Sequence, residues 1–258
     1  MAFLFNPLHY ALHHAVRWDF ATVFDFARND GYVPIARSEV RSLAQHVPIL
    51  VAITGSKAIA VVPIDPQHAT RAPLDEAFRW RHGTAPTALR YHPFRAIADS
   101  TTGAPILAVA EDRVTVNTTA TNGFFDDNAQ PLPVVRAVLR RLQQLESEKS
   151  QMRAAASALA EAGLLVAVPH LTDRRGRAPF HTLDSSAFAA LPPARLATLG
   201  PLPHHAFMLA ASMAYSRQWL PADFAANEAA PITEVIARRP AAGAFVMEEE
   251  EFVLNFDT

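Results

Sequence analysis

The run PVVRAVLRRLQQLESEKSQMRAAASALAEA, Pro133 to Ala162, holds no glycine, and its only proline is the first residue. Val135, Val138, Leu142, Leu145, Met152, Ala156 and Leu159 recur at intervals close to three and four, the period of one helix face. Pro133 suits a first helical position. Gly163 suits the residue just past the end, and Leu164 can pack back onto the last turn. At about 1.5 Å per residue the spacing predicts a rod of roughly 45 Å, with Ser147 to Gln151 the place for any kink or break. A helix of this length reads as a scaffold bridging two subregions, with a homodimer seam as the alternative.

Upstream of the rod the periodicity changes. His46 to Ile53 and Ala58 to Val62 are near-continuous apolar runs around the turn Thr54-Gly55-Ser56-Lys57, which predicts a hairpin covered on both faces. Ile106 to Ala110 and Arg113 to Val116 predict a second pair of strands, turning at Glu111-Asp112. Downstream come a short strand at Leu165 to Val168, a helix capped by Asp184, one begun by Pro192-Pro193, and one from Pro203 to about Leu220. In that last helix Phe207, Met208, Ala211, Tyr215 and Trp219 fall near one face. The fold class is therefore α+β, with a strand-rich first half, a long helix and a helical second half.

At the start, Asn6-Pro7 predicts a helix running to about Trp18, and Phe20 to Arg28 a second amphipathic piece closed by Asn29-Asp30-Gly31. Residues 1–31 thus read as a helical extension, 32–220 as the main domain and 221–258 as an acidic tail. In the tail the like charges Glu248 to Glu251 precede alternating Phe252, Leu254 and Phe256, a pattern for an edge strand or for docking on a partner.

The stretch Ala85-Pro86-Thr87-Ala88-Leu89-Arg90-Tyr91-His92-Pro93-Phe94 is bracketed by proline and sets one cation among large side chains. Arg90 can bind a carboxylate or stack on an aromatic ring. Trp80, Tyr91, His92 and Phe94 are then the expected walls of a ligand or peptide site, or else simply core, with Arg90 as a backbone clamp.

Composition narrows the chemistry. The 258 residues are 50% hydrophobic and 19% charged, with a net charge of −2, enough for a sizeable core and no invitation to nucleic acid. The basic cluster at Arg174 to Arg177 lacks interleaved aromatics, so it too reads as surface. There is no cysteine, so disulfides, thiolate metal sites and cysteine nucleophiles are excluded. No run of about 18 apolar residues predicts a membrane span. Met1 to Pro7 lacks the basic start and apolar length of a secretory leader, so a soluble, cytoplasmic protein is the expectation.

Among eleven histidines, His9 and His13 stand four apart on the expected first helix, where both imidazoles could reach one ion. His181, Asp184, His204 and His205 are further ligand candidates. No metalloprotease motif, phosphate-cradling glycine loop or Gly-x-Ser-x-Gly elbow occurs. Ser212 and His205 lie two turns apart on one helix and do not form a nucleophile–base pair. No cofactor is implied, and iron or zinc is the alternative.

The order of these pieces resembles the SapC family, named after a protein encoded with bacterial surface-layer genes. The resemblance rests on Val33-Pro34-Ile35 with Glu39, His46-Val47-Pro48-Ile49, Trp80, Ala85-Pro86 and Leu89-Arg90-Tyr91-His92-Pro93-Phe94. It continues through Phe124-Phe125-Asp126-Asp127-Asn128, Gly163-Leu164-Leu165, His205-Ala206 and Ser212. It spans about Tyr32 to Leu220. His92 stands where such sequences more often carry tyrosine, and Asn128 where they carry glycine. The resemblance implies a bacterial protein associated with surface and outer-membrane uptake functions, and it transfers no catalytic residue. The expected function is a non-catalytic accessory or binding protein of a surface, export or peptide-modification system, with a peptide or protein partner. The alternative is a metal-dependent, oxygenase-like enzyme acting on a peptide or small molecule.

Overall fold

The computed structural model describes residues 5–29, 31–64, 72–99, 102–111, 120–172, 179–197 and 199–220. Its architecture is α+β, with two antiparallel sheets joined by the long helix. The larger sheet is built from β2 (Tyr32–Pro34), β3 (Leu50–Thr54), β4 (Lys57–Pro63), β7 (Leu165–Thr172) and β8 (Pro179–Leu183), in the order β2-β4-β3-β8-β7. The smaller sheet orders β1 (Phe5–Pro7), β6 (Pro105–Ala110) and β5 (Phe94–Ala98) as β1-β6-β5.

The expected hairpin is β3–β4, in register from Leu50↔Val61 to Thr54↔Lys57. Its two-residue loop starts at Gly55, whose φ of 57° glycine accepts without steric cost. Successive side chains of a strand face opposite ways, and both faces are buried here. Val33, Val51, Ala60 and Val62 join the main core, while Tyr32, Leu50, Ala52, Ile59, Val61, Val168 and Phe180 form a second cluster. That is why the strands read as continuous apolar runs.

The long helix, α4 (Pro133–Glu161), is unbroken across 29 residues. It ends as the sequence predicts. Gly163 takes φ 70°, its N–H donates to the Ala160 carbonyl at 3.0 Å, and Leu164 N–H donates to the Leu159 carbonyl at 3.0 Å. Its buried stripe serves two cores. Val135, Val138, Leu142 and Leu145 enter the smaller core with Trp18, Phe94, Leu107, Val109 and Phe124. Met152, Ala155, Ala156, Leu159 and Ala160 enter the larger one.

Glu148 lies where the stripe passes from one core to the other, and it is only 3% exposed. Its Oε2 accepts from Ser38 N–H at 3.0 Å and from the Ser38 hydroxyl at 2.5 Å. Its Oε1 accepts from the Gln144 amide at 2.9 Å, with Arg141 Nη1 at 3.8 Å. Burial opposes ionisation. The hydrogen bonds from Ser38 and Gln144, helped by Arg141, outweigh it and hold the carboxyl below its ordinary value. Ser38 belongs to a single 3-10 turn, Arg37–Glu39, that leads into the short helix α2 (Val40–Ala44). This segment crosses the same boundary, since Ala36 packs in the smaller core and Val40 in the larger.

Two expectations are corrected. The helix from Pro7 to Trp18 reduces to one turn, α1 (Tyr10–His13), because β1 pairs with β6 and Trp18 exchanges backbone bonds with Asn122. Proline is acceptable on that edge strand, and a helix of twelve residues is marginal on its own. Phe20 to Arg28 is not an amphipathic helix. Ala21 N–H donates to the His92 carbonyl and Phe24 N–H to that of Phe78, and only Asp25–Asn29 turns, as a 3-10 helix. The strand Ile106 to Ala110 pairs with β5 and β1; its expected partner, Arg113 to Val116, lies outside the described residues, as does the tail after Leu220.

The last long helix, α7 (Pro203–Ser216), buries the other side from the one its bulky residues suggest. His205, Ala206, Leu209, Ala210, Met213 and Ser216 face inward, and Tyr215 is 58% exposed. α7 lies against α4, and Ala206 and Ala210 among the buried residues let the two helices close, while Leu209 and Met213 fill the larger core. Gly200, just before α7, shows the same closeness: a Cβ there would meet the Ala158 Cβ at 2.7 Å.

Two outcomes follow for stability, each checked by urea denaturation. Gly200→Ala adds a clash to the strain of its φ of 66° and should cost roughly 2–4 kcal/mol. Gly55→Ala has open space around it and should cost only about 1–2 kcal/mol from backbone strain. Equal losses would refute the close approach at Gly200. Glu148→Gln should cost about 1–3 kcal/mol at neutral pH. The folded-state value is lowered, so the stabilisation is present above the unfolded carboxyl's pKa and is lost as pH falls through the folded one. The gap between wild type and variant should close in acid, and a gap independent of pH would show that the charge is not what Ser38 holds.

Candidate functional site

The 3-10 turn Arg37–Glu39 directs three consecutive side chains to three neighbours. Ser38 meets α4 through Glu148. Glu39, 9% exposed, turns the other way. Its Oε2 accepts from Ala36 N–H at 3.0 Å, and its Oε1 accepts from the Thr87 hydroxyl at 2.5 Å and from Thr87 N–H. Thr87 opens the one-turn helix α3 (Thr87–Arg90), so Glu39 anchors the start of the proline-bracketed stretch. A buried carboxylate receiving backbone and hydroxyl donors is satisfied without a cation.

Arg90 ends that turn. Its Nε donates to the Ala85 carbonyl at 2.8 Å and its Nη2 to Thr87 Oγ1 at 3.1 Å. Arg90 is half-buried, and the backbone-clamp geometry is present. The clamp uses part of the five-donor fork.

The aromatic neighbours go separate ways. Phe94 is buried in the smaller core, edge-on to Trp18 at 4.5 Å between ring centroids. Tyr91 packs against that core and carries Phe20, 41% exposed, at 5.1 Å. His92 is buried, precedes a cis proline at Pro93, and stacks on Phe26 at 3.8 Å. Trp80 packs against the larger core and donates its indole N–H to the His82 carbonyl at 2.6 Å. Tyr91, which follows Arg90 in the chain, therefore adjoins an exposed ring, Phe20, while Phe94 and His92 are buried and Trp80 belongs to the other core.

His9 caps α1, its Nδ1 accepting from Ala11 N–H at 3.2 Å. His13 is buried, with Nδ1 2.9 Å from the His9 carbonyl oxygen and Nε2 3.9 Å from Glu111 Oε1. Among the described residues, no three His, Asp or Glu side chains are grouped so as to hold a metal ion. Asp184 accepts from Ala187 N–H at 2.9 Å and the Ser186 hydroxyl at 2.6 Å as the cap of α5 (Ser185–Ala189), and these bonds hold its carboxyl below the usual value.

Sequence reasoning missed Arg37 and Glu148. The signal for Glu148 was present, since it falls three after Leu145 and four before Met152, on the apolar stripe. Arg37 had none, being one more arginine before a short helix. In the structure it is half-buried, and its Nε is enclosed with no hydrogen-bond partner among the described residues. Its charge acts on His205, in the first turn of α7. Burial, then neighbouring His204, then Arg37 keep the His205 imidazole below its ordinary pKa.

Among the described residues no helix is long and apolar enough to cross a membrane. No curated protein matches the chain, and no solved structure does. The family model described as SapC matches residues 8–216. That span includes the Glu39 anchor, the proline-bracketed stretch, the whole of α4 and His205, and the chain belongs to the SapC family.

Proposed function

We propose that this SapC-family chain is a non-catalytic binding or accessory protein that grips a peptide or protein partner beside Arg90. The observation that carries the reading is the exposed Phe20 ring resting on Tyr91, next to an arginine whose orientation is already fixed by Ala85 and Thr87. Large apolar side chains usually end inside. Here Phe20 is exposed and rests on Tyr91, Trp18 and Phe94, an apolar ledge backed by the smaller core. A pinned guanidinium with donors to spare suits a carboxylate or a peptide carbonyl, because little rotamer freedom is lost on binding. An apolar side chain of the partner would lie on Phe20 while an oxygen of its backbone or terminus meets Arg90. The family's association with bacterial surface and outer-membrane uptake functions supports a peptide or protein partner.

Display of random peptides on the full-length protein tests this. Enriched peptides should share an apolar residue near an acceptor. Phe20→Ser should weaken them at least about tenfold, as the loss of one well-packed contact can do, while the melting temperature stays near wild type. Arg90→Lys, which keeps the charge and loses the planar fork, should weaken them also. No enrichment, or enrichment indifferent to Phe20, would overturn the reading.

A further inference from the structure

We propose that Arg37 and the first turn of α7 form a second site, one that takes a carboxylate. The site is separate from the Phe20 ledge and does not rest on it. Arg37 contributes to no hydrogen bond or ion pair among the described residues, although it is half-buried and its Nε is fully enclosed. The enclosed Nε is a buried donor without an acceptor, and such donors are normally paired. The nearby carboxylates do not pair with it. Glu148 is taken by Ser38, Gln144 and Arg141, and Glu39 by Ala36 and Thr87.

The group facing Arg37 is built alike. His205 is 8% exposed, and its Nδ1 is enclosed without a partner. Its ring lies 4.0 Å from that of His204, centroid to centroid. The charges acting on His205 come from His204 on its own helix and from Arg37 on the turn before α2, and among the described residues no carboxylate is named beside them. The helix supports the same sign of ligand. The first turn of α7 carries no acidic residue, and the cap residue, Leu202, offers no side-chain acceptor, so the positive end of a 14-residue helix is uncompensated. On α4, one turn beyond Glu148, Gln151 has an enclosed Oε1 without a partner. Its amide can present either an acceptor or a donor by rotation.

The three orphaned atoms thus come from three elements: the turn at Arg37, α4 and α7. α7 and that turn both pack on α4. One arginine, one imidazole and one helix terminus match a single negative charge shared between two oxygens. A carboxylate fits that balance better than a phosphate dianion, for which no second permanent cation is at hand. Occupation would reverse the electrostatics at His205, because an anion beside the ring favours the imidazolium. A free small acid and the C-terminus of a peptide offer the same chemistry, so both belong in the test.

The experiment uses the full-length protein and follows the His205 ring by NMR. The probes are acetate, an N-acetylated tripeptide of alanine with a free C-terminus, the same tripeptide amidated, and inorganic phosphate. Acetate and the free-acid peptide should shift the His205 signals saturably and raise the pH at which it titrates, while the amide does neither. Tighter binding of the peptide acid than of acetate assigns the site to peptide termini, and equal binding assigns it to small acids. Arg37→Gln should weaken the acid by about tenfold or more, the size expected for losing one charge-assisted bond. Arg37→Lys should retain part of the binding, and it serves where the glutamine variant fails to fold. A flat response to both acids, an unchanged affinity in the arginine variants, or a preference for phosphate would each overturn the proposal.

Discussion

One buried carboxylate decides how the two sheets are held together. Glu148 lies at the point on α4 where the stripe leaves one core and enters the other, and the group it grips, Ser38, lies in a segment that makes the same crossing. A hydrophobic contact at that point would be indifferent to small slides of helix against turn. A carboxylate with several directed donors is not, because a shift of an ångström leaves a buried charge with unmade bonds. The polar run from Ser147 to Gln151 would be expected to break the helix. Glu148 has partners on both sides of it and the helix runs straight through, so the apparent weak point in the sequence is a fixed point in the fold.

With Ser38 fixed, its neighbours are fixed too. Glu39 is driven to the opposite side, where it meets Thr87 and sets the start of α3, and so the place of Arg90. Arg37 lies where its charge acts on His205 of α7, and among the described residues none neutralises it. Three adjacent residues therefore hold two satisfied contacts and one unsatisfied cation. Polar groups fully paired in an interior rigidify it. One that is left unpaired beside them sits on a rigid support and still has bonding capacity, which is the condition for binding at small reorganisation cost.

Much of the fold was legible. The three-four spacing from Val135 to Leu159, the Gly163 stop and the apolar runs around Gly55 were each local signals, and tertiary context agreed with them. The misses share a cause. β5 and β8 are five residues each, Phe-Arg-Ala-Ile-Ala and Pro-Phe-His-Thr-Leu, too short and too mixed to show an alternation. They are strands because β6 and β3 offer them open edges. The inward face of α7 mixes Ala206 and Ala210 with Leu209 and Met213, so residue size alone does not mark it. Residues 5–29 looked helical by caps and spacing, but Trp18, 1% exposed against Phe94 and Phe124, gains more by reaching the smaller core than a one-turn helix gains by growing.

The candidate site was half legible, and the half that was hidden is informative. Arg90 drew attention because aromatic residues surround it in sequence, yet in space those rings mostly pack inward and the arginine clamps its own turn. Arg37 has no aromatic neighbour within three residues and no sequence pattern, yet its enclosed Nε has no partner among the described residues. Proximity along the chain gauges how a side chain can be held; whether its charge is answered depends on residues far off, such as His205 on another helix. An arginine whose hydrogen bonds are all local tells little about ligands, since its geometry is explained by the fold. Where the surrounding described carboxylates are already committed to other partners, as Glu39 and Glu148 are, an arginine unanswered among the described residues has bonding capacity left for a ligand.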